Sequence, residues 1–282
     1  MAPAPRGRPA HESTRAPPGI TEDPELKVVI RCGGQGTRLR EETEYKPKPL
    51  VDIGGRPILW HIMKTYAHFG HRDFVLCLGY KGSMLKEYFL NYEPMMSDFT
   101  ISLGNRHHIT IHSRHREDWN VTLVDTGIET HTGGRIKRIE RYIEDDDFLC
   151  TYGDGVANLD LDALLQFHRR HGKIATLTGL HPVSKFGVFQ HAEDNLVTGF
   201  KEKPRMDDLV SGGFFVFKRR IFDYLNDNSV LETEPLERLT QERQLAVYVH
   251  EGFWHSMDTY KDAMTLNELW AGGRAEWKVW RE

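Results

Sequence analysis

Cysteine is scarce in this 282-residue chain: Cys32, Cys77 and Cys150 are the only three. They are far apart and odd in number, and none forms a C-x-x-C pair. That argues against a disulfide framework or a structural zinc site and suits a reducing, cytoplasmic compartment. No apolar run is long enough to cross a bilayer, so no membrane partner is expected. An excess of base is also missing. Lys and Arg number 37 against 41 Asp and Glu, a formal net charge of −4, which disfavours nucleic acid as a partner. His107, His108, His112 and His115 lie close together but lack an H-E-x-x-H spacing, and they read as surface or strand histidines. No G-x-S-x-G elbow is present. The acidic run Asp145-Asp146-Asp147 reads as a solvated turn.

What is present is enough to fold. Hydrophobic residues make up 39% of the chain, which supports one substantial core or one core with a small subdomain. Met1 to Pro24 is rich in Pro, Ala and Arg without an apolar stretch, and is expected to be a disordered tail. Residues 25–282 are read as a single domain. Apolar runs at Leu26 to Cys32, Asp73 to Leu78, Asn120 to Val124 and Phe148 to Tyr152 predict strands. Helical spacing predicts helices over Pro57 to Phe69, Gly82 to Asn91 and Leu159 to His171. Pro57 suits the first helical position and Gly70 the stop. The second half is richer in β-structure. Phe186 to Gln190 and Leu196 to Lys201 predict a hairpin, Gly213 to Phe217 a strand, and Thr233 to Arg243 and Thr259 to Gly272 late helices. The alternation implies an α/β fold: a Rossmann-like, mainly parallel sheet flanked by helices, with a smaller β-rich region.

The most informative segment follows the first strand: Arg31-Cys32-Gly33-Gly34-Gln35-Gly36-Thr37-Arg38-Leu39. Its glycines allow positive φ and let backbone N–H groups approach an anion. Thr37 adds a hydroxyl, and Arg38 a planar, permanently charged fork suited to phosphate. A P-loop would need Lys where Thr37 stands, and a dinucleotide fingerprint would need a small residue at Leu39. The missing third glycine therefore disfavours a nicotinamide oxidoreductase. Downstream, Lys46-Pro47-Lys48-Pro49 frames a lysine between prolines, which stiffen it into a pre-positioned cation. Tyr152-Gly153-Asp154-Gly155 ends a predicted strand with a carboxylate between glycines, a hard oxygen ligand of the kind Mg²⁺ takes. Asp258, just before the last helix, by itself reads as a helix N-cap. Glu202-Lys203-Pro204 follows another strand; Lys203 suits a sugar phosphate and Glu202 suits sugar hydroxyls.

These motifs, in this order, resemble the sugar-nucleotide pyrophosphorylases, and among them the cytidylyltransferases, over nearly the whole chain after the tail. Further matching stretches are Gly55 to Lys64, Leu78 to Gly82, Trp119 to Gly127, Thr132 to Arg135, Gly212 to Val216 and Gly252 to Trp254. The resemblance implies a reaction: a hexose 1-phosphate, foremost α-D-glucose 1-phosphate, attacks the α-phosphorus of a nucleoside triphosphate, foremost CTP. Pyrophosphate leaves, and CDP-glucose is the product. It also implies Mg²⁺ on Asp154 and Asp258. Arg38, Lys48, Asp154, Lys203 and Asp258 become the catalytic set. Nucleotide contacts fall to Gly33, Gly34, Gln35, Gly36, Thr37, Thr132, Gly133, Arg135 and Gly153. Sugar-phosphate contacts fall to Gly187, Glu202, Lys203, Gly213 and Trp254. A homo-oligomer is implied as well. UTP, dTTP or another sugar remains open within the same chemistry. Two departures keep a non-catalytic nucleotide-binding sensor or subunit open. Arg31-Cys32 stand where the family has apolar-Ala, and Ser211 stands where it has Asn.

Overall fold

The computed structural model describes residues 25–104, 108–112, 117–184 and 186–281. The tail Met1 to Pro24, together with His107 and His115, lies outside the described residues. The central sheet has seven strands: β1 (Val28–Arg31), β2 (Asp73–Leu78), β3 (Asn120–Asp125), β4 (Asp147–Tyr152), β5 (Ala175–Leu180), β6 (Val210–Lys218) and β7 (Leu245–Val249). Their spatial order is β7-β5-β6-β4-β1-β2-β3. Strand β6 runs against its neighbours β4 and β5, and every other pairing in the sheet is parallel. The expected mainly parallel α/β sheet is therefore what the chain forms.

The six main helices are α1 (Ile58–His68), α2 (Gly82–Leu90), α3 (Thr132–Arg138), α4 (Leu161–His171), α5 (Glu234–Gln241) and α6 (Tyr260–Ala271). Strand side chains alternate between two cores. Val28, Ile30, Phe74, Leu76, Phe214 and Val216 face α1, α4 and α6 on the first face. Val29, Val75, Cys77, Phe148, Phe215 and Phe217 face α3 and α5 on the second. A strand buried on both faces has no polar side, which is why β1 and β2 read as unbroken apolar runs.

Boundaries depart from expectation where tertiary contacts act. Pro57 stays extended as the N-cap of α1 rather than its first residue, because it pairs with Asp52 in a small ladder, Asp52–Ile53 against Arg56–Pro57. Gly70, at φ +88°, does end the helix region. The hairpin Val188–His191 with Val197–Lys201 forms as expected, as a sheet of its own. Strands β5 and β7 and helix α3 were not expected. The Asp145 to Asp147 reading holds only in part, since Asp147 starts β4 and pairs with Lys218 at 3.3 Å.

Strand order places the site. From β1 the chain proceeds outward through β2 to β3, then crosses to β4 on the other side of β1. Between β1 and β4 the direction of winding reverses, and a crevice opens at the carboxyl ends of these strands.

Candidate functional site

A cleft of about 600 Å³ occupies that crevice. Its roof is the glycine loop after β1. Gly36 sits at φ +63°, and a Cβ there would come within 2.7 Å of the Thr43 methyl, so only glycine fits. The loop is pinned from below by Arg135, which is 6% exposed. Its guanidinium donates to Gly33 O (3.1 Å), Leu78 O (3.1 Å), Thr126 Oγ1 (2.9 Å), Gly127 O (2.7 Å) and Ile128 O (3.0 Å). Arg135 was expected to contact the nucleotide. Held by these bonds to the chain itself, it frames the glycine loop and also lines the cleft. Gly33, Gly34, Gly36, Thr37, Arg38, Thr132 and Gly153 line the cleft; Gln35 and Gly133 do not. Gly133 is buried because helix α3 packs its backbone on Ser229, where a Cβ would meet the Ser229 carbonyl at 2.9 Å.

Three chain segments bring the charged centre together. Pro47 and Pro49 hold Lys48 in a tight turn, Lys48–Leu50, which rests on α1 through Leu50 and the bond from Ile58 N to Val51 O at 2.9 Å. Strand β4 delivers Gly153 and Asp154. No side chain fits at Gly153, since a Cβ would stand 2.8 Å from Arg31 O. The ladder Gly155–Ala157 with Trp254–Ser256 then carries the late segment alongside, locked by Met257 N donating to Asp154 O at 2.8 Å. The Lys48 ammonium donates to Asp154 Oδ2 at 2.5 Å and to Asp258 Oδ1 at 2.9 Å. Burial alone would lower the Lys48 pKa, but the two carboxylates outweigh it and hold the ammonium above its ordinary value. Burial would raise Asp258, yet Lys48, Ser256 and Arg38 bring it below the usual carboxylate range. Arg38 is mostly exposed and reaches Asp258 at 3.7 Å.

The N-cap expectation for Asp258 is corrected. Thr259 caps α6, accepting from Asp262 N and closing a capping box with Asp262. Asp258 stands one residue earlier, and its carboxylate faces the cleft. Two carboxylates converging on one cation form a hard oxygen set that suits magnesium, which completes its shell with phosphates and water. Among the described residues no group of three His, Cys, Asp or Glu offers an all-protein metal site.

The expected sugar-phosphate residues divide. Trp254 lines the cleft and donates its indole N–H to Gly212 O at 2.8 Å. Ser211 lines it too. Gly213 does not; at φ +78° it lies against the Tyr152 ring, which a Cβ would overlap. Gly187, Glu202 and Lys203 belong to the separate hairpin, outside the cleft wall. Lys203 is 62% exposed, in a left-handed conformation at φ +45°, with Glu202 3.9 Å away.

Sequence reasoning missed one polar cluster. Arg31 leaves the end of β1 and stacks on the Tyr152 ring, 4.3 Å from its centroid. It donates to Glu232 Oε1 at 2.8 Å. The same carboxylate accepts from the Tyr152 hydroxyl at 3.0 Å and from Thr132 Oγ1 at 2.5 Å. Burial opposes the Glu232 charge, but Arg31 and Thr132 outweigh it and lower its pKa. The bulky cation at position 31 is thus neutralised inside the cleft. Neighbouring letters offer no signal for Glu232, since its partner Arg31 is 201 residues away.

Comparison with known proteins places the chain in a family. A family model described as nucleotidyl transferase matches residues 27–271. The chain is 50% identical over 258 residues to a glucose-1-phosphate cytidylyltransferase of Salmonella typhi, covering 90% of this chain and 100% of that one. It is 28% identical over 263 residues to a mannose-1-phosphate guanyltransferase of Saccharomyces cerevisiae, covering 89% of this chain and 66% of that protein. Among solved structures, HddC from Yersinia pseudotuberculosis complexed with GMP-PN superposes with a TM-score of 0.65 at 22% identity, covering 87% of this chain and 99% of that one. That likeness shows the fold.

Proposed function

This chain belongs to the nucleotidyl transferase family, and from that premise we propose that it transfers a cytidylyl group from CTP to α-D-glucose 1-phosphate, giving CDP-glucose and pyrophosphate. The chain is a sugar-1-phosphate nucleotidyltransferase; the choice of CTP and of glucose is our reading, supported by the 50% identical relative. The observation that carries the chemistry is the Lys48 ammonium held between Asp154 and Asp258 beneath a glycine loop. An oxygen of the sugar phosphate bonds to the α-phosphorus, and the bond from that phosphorus to the bridging oxygen breaks with pyrophosphate leaving. The nucleophile is already anionic, so no base on the protein is needed, and positioning with charge neutralisation does the work.

The chain's residues divide that work. Loop N–H groups, Thr37 and Arg38 hold the triphosphate. Lys48, already oriented between the two carboxylates, stabilises the triphosphate and its leaving pyrophosphate. Lys203 brings the sugar phosphate in against like-charge repulsion. Asp154 and Asp258 would hold magnesium, which supplies charge neutralisation across the two phosphates. Residues 25–282 would act as one catalytic unit within a homo-oligomer in the cytoplasm. The three buried, unpaired cysteines support that compartment, and exposed Phe189 and Phe200 supply apolar surface for a neighbouring copy. Among the described residues no helix is long and apolar enough to cross a membrane.

The test is a panel of four nucleoside triphosphates against several hexose 1-phosphates, read as pyrophosphate. CTP with glucose 1-phosphate is expected to be fastest. A faster rate with UTP or dTTP would replace the donor. Binding without pyrophosphate release would overturn the enzymatic reading.

A further inference from the structure

The cleft has two chemically different ends. Lys48, Asp154 and Asp258 lie toward the first face of the sheet, where the Lys48–Leu50 turn rests on α1. Arg31 and Tyr152 lie toward the second face, beside α3. The glycine loop lines the same cleft. A nucleoside triphosphate whose phosphates meet Lys48 has its base at the far end of the molecule. Arg31, Thr132, Val230 and Glu232 line the cleft as well, with Arg31 and Thr132 both bonded to Glu232, and form a surface for such a base.

We propose that the Arg31–Glu232 pair reads the edge of the nucleobase and selects cytosine. This rests on the proposed CTP donor and extends it to named residues. Glu232 is an ionised acceptor, held in place by the Tyr152 and Thr132 hydroxyls. Arg31 is a fork of donors, flattened on Tyr152. Cytosine offers a matching edge: an exocyclic amine to donate to a carboxylate, and a ring nitrogen and carbonyl to accept from a guanidinium. A carboxylate accepting from that amine is one of the established direct readouts of cytosine. Uracil and thymine place a carbonyl where the amine stands and an N–H where the ring acceptor stands. Both atoms then meet groups of their own kind, so the wrong base is rejected by repulsion as well as by lost bonds. Arg31 therefore does not block the site where a small apolar residue is usual; it holds the carboxylate in register and supplies half of the recognition.

The experiment compares kcat/KM for CTP and UTP, with glucose 1-phosphate as acceptor, in the wild type, Glu232→Gln and Arg31→Leu. Thermal melts and glucose 1-phosphate KM report on folding and on the acceptor site. Calorimetric titration of CTP and UTP without acceptor gives a second readout. The wild type is expected to prefer CTP. In Glu232→Gln, whose amide both donates and accepts, the CTP-to-UTP ratio is expected to fall at least about tenfold. Arg31→Leu is expected to lower it as well. If Glu232→Gln slows CTP and UTP by the same factor, the carboxylate only braces the cleft and the assignment is overturned. A wild type that prefers UTP overturns it too. A wild type that releases no pyrophosphate with any triphosphate removes the proposed function itself, and that result appears before any variant is made.

Discussion

The two lysines assigned to phosphate sit in opposite surroundings. Lys48 is 12% exposed, set in a proline-framed turn and bonded to two carboxylates. Lys203 is 62% exposed, on a separate two-stranded hairpin, with one distant carboxylate near it. Around Lys48 the chain has three segments locked by backbone ladders and two buried cores. Around Lys203 the apolar residues Val188, Phe189, Val197 and Phe200 are themselves exposed. Catalytic charge must be oriented before substrate arrives, because reorientation during reaction costs free energy. In the proposed reaction the rigid end therefore serves as the reacting centre, and the hairpin end as the part that meets an incoming acceptor.

The sharpest way to break this contrast is Asp154→Asn. It removes half of the carboxylate pair while leaving the ladder intact. Turnover is expected to drop about a thousandfold or more, with an unchanged melting profile. Near wild-type rates at saturating magnesium would show that the rigid end is not the reacting centre.

Acid is expected to loosen the support beneath the rigid end. His61 lies on α1, fully buried in a cage with Trp60, Trp270 and Trp277. Burial lowers its pKa to about 4. Its neighbours suit the neutral ring: Nε2 faces Ile53 O at 2.8 Å, and Trp277 Nε1 donates to Nδ1 at 3.4 Å. The folded value lies below the unfolded one of about 6.5, so the unfolded chain takes up the proton first. The contribution is full above pH about 6.5 and is lost as pH falls toward about 4, an effect of about 3 kcal/mol. Urea unfolding at pH 7 and pH 4 should show His61→Gln losing less stability than wild type across this window. Equal slopes would remove His61 from the account.

Lys203→Ala should raise the glucose 1-phosphate KM by about 10- to 100-fold, the loss of one charge-assisted bond. The CTP KM should stay within about twofold, because the hairpin lies apart from the triphosphate end. Equal shifts in both constants would merge the two ends into one. The smallest effect is expected at the cap that sets Asp258. Thr259→Ala should cost about 1 kcal/mol and lower the melting temperature by about 2 °C. A silent melt would mean that Met257 N on Asp154 O holds this segment without the cap.

Much of the architecture was legible because it is written locally. The buried strands β1 and β2 announce themselves as apolar runs, and α4 by its spacing, with Asp160 capping it through Ala163 N. Helix α3 was not legible, since Gly133 and Gly134 disfavour a helix by propensity. Those glycines let the helix backbone lie against Ser229, where Gly134 N donates to Ser229 O at 3.0 Å. That is a tertiary reason with no local trace. Strand β5, Ala-Thr-Leu-Thr-Gly-Leu, is too mixed to stand out, and it becomes a strand by pairing with β6 and β7. Asp258 taken by itself reads as a cap for a similar reason, and only the family resemblance points it to the metal. Any aspartate before a helix resembles a cap, and only the side-chain geometry shows that Thr259 fills that role.

The sequence by itself determined the reaction class. A glycine loop after a strand, a proline-framed lysine and a glycine-flanked aspartate are local devices for holding phosphate, each contained within a few residues. Tertiary structure decided which of them meet. Lys48 and Asp258 are 210 residues apart, and Arg31 and Glu232 are 201 apart, yet each pair is within 3 Å. Such pairs follow from strand order and from which face of the sheet a side chain takes. Those properties depend on long-range pairing and burial rather than on the neighbouring residues.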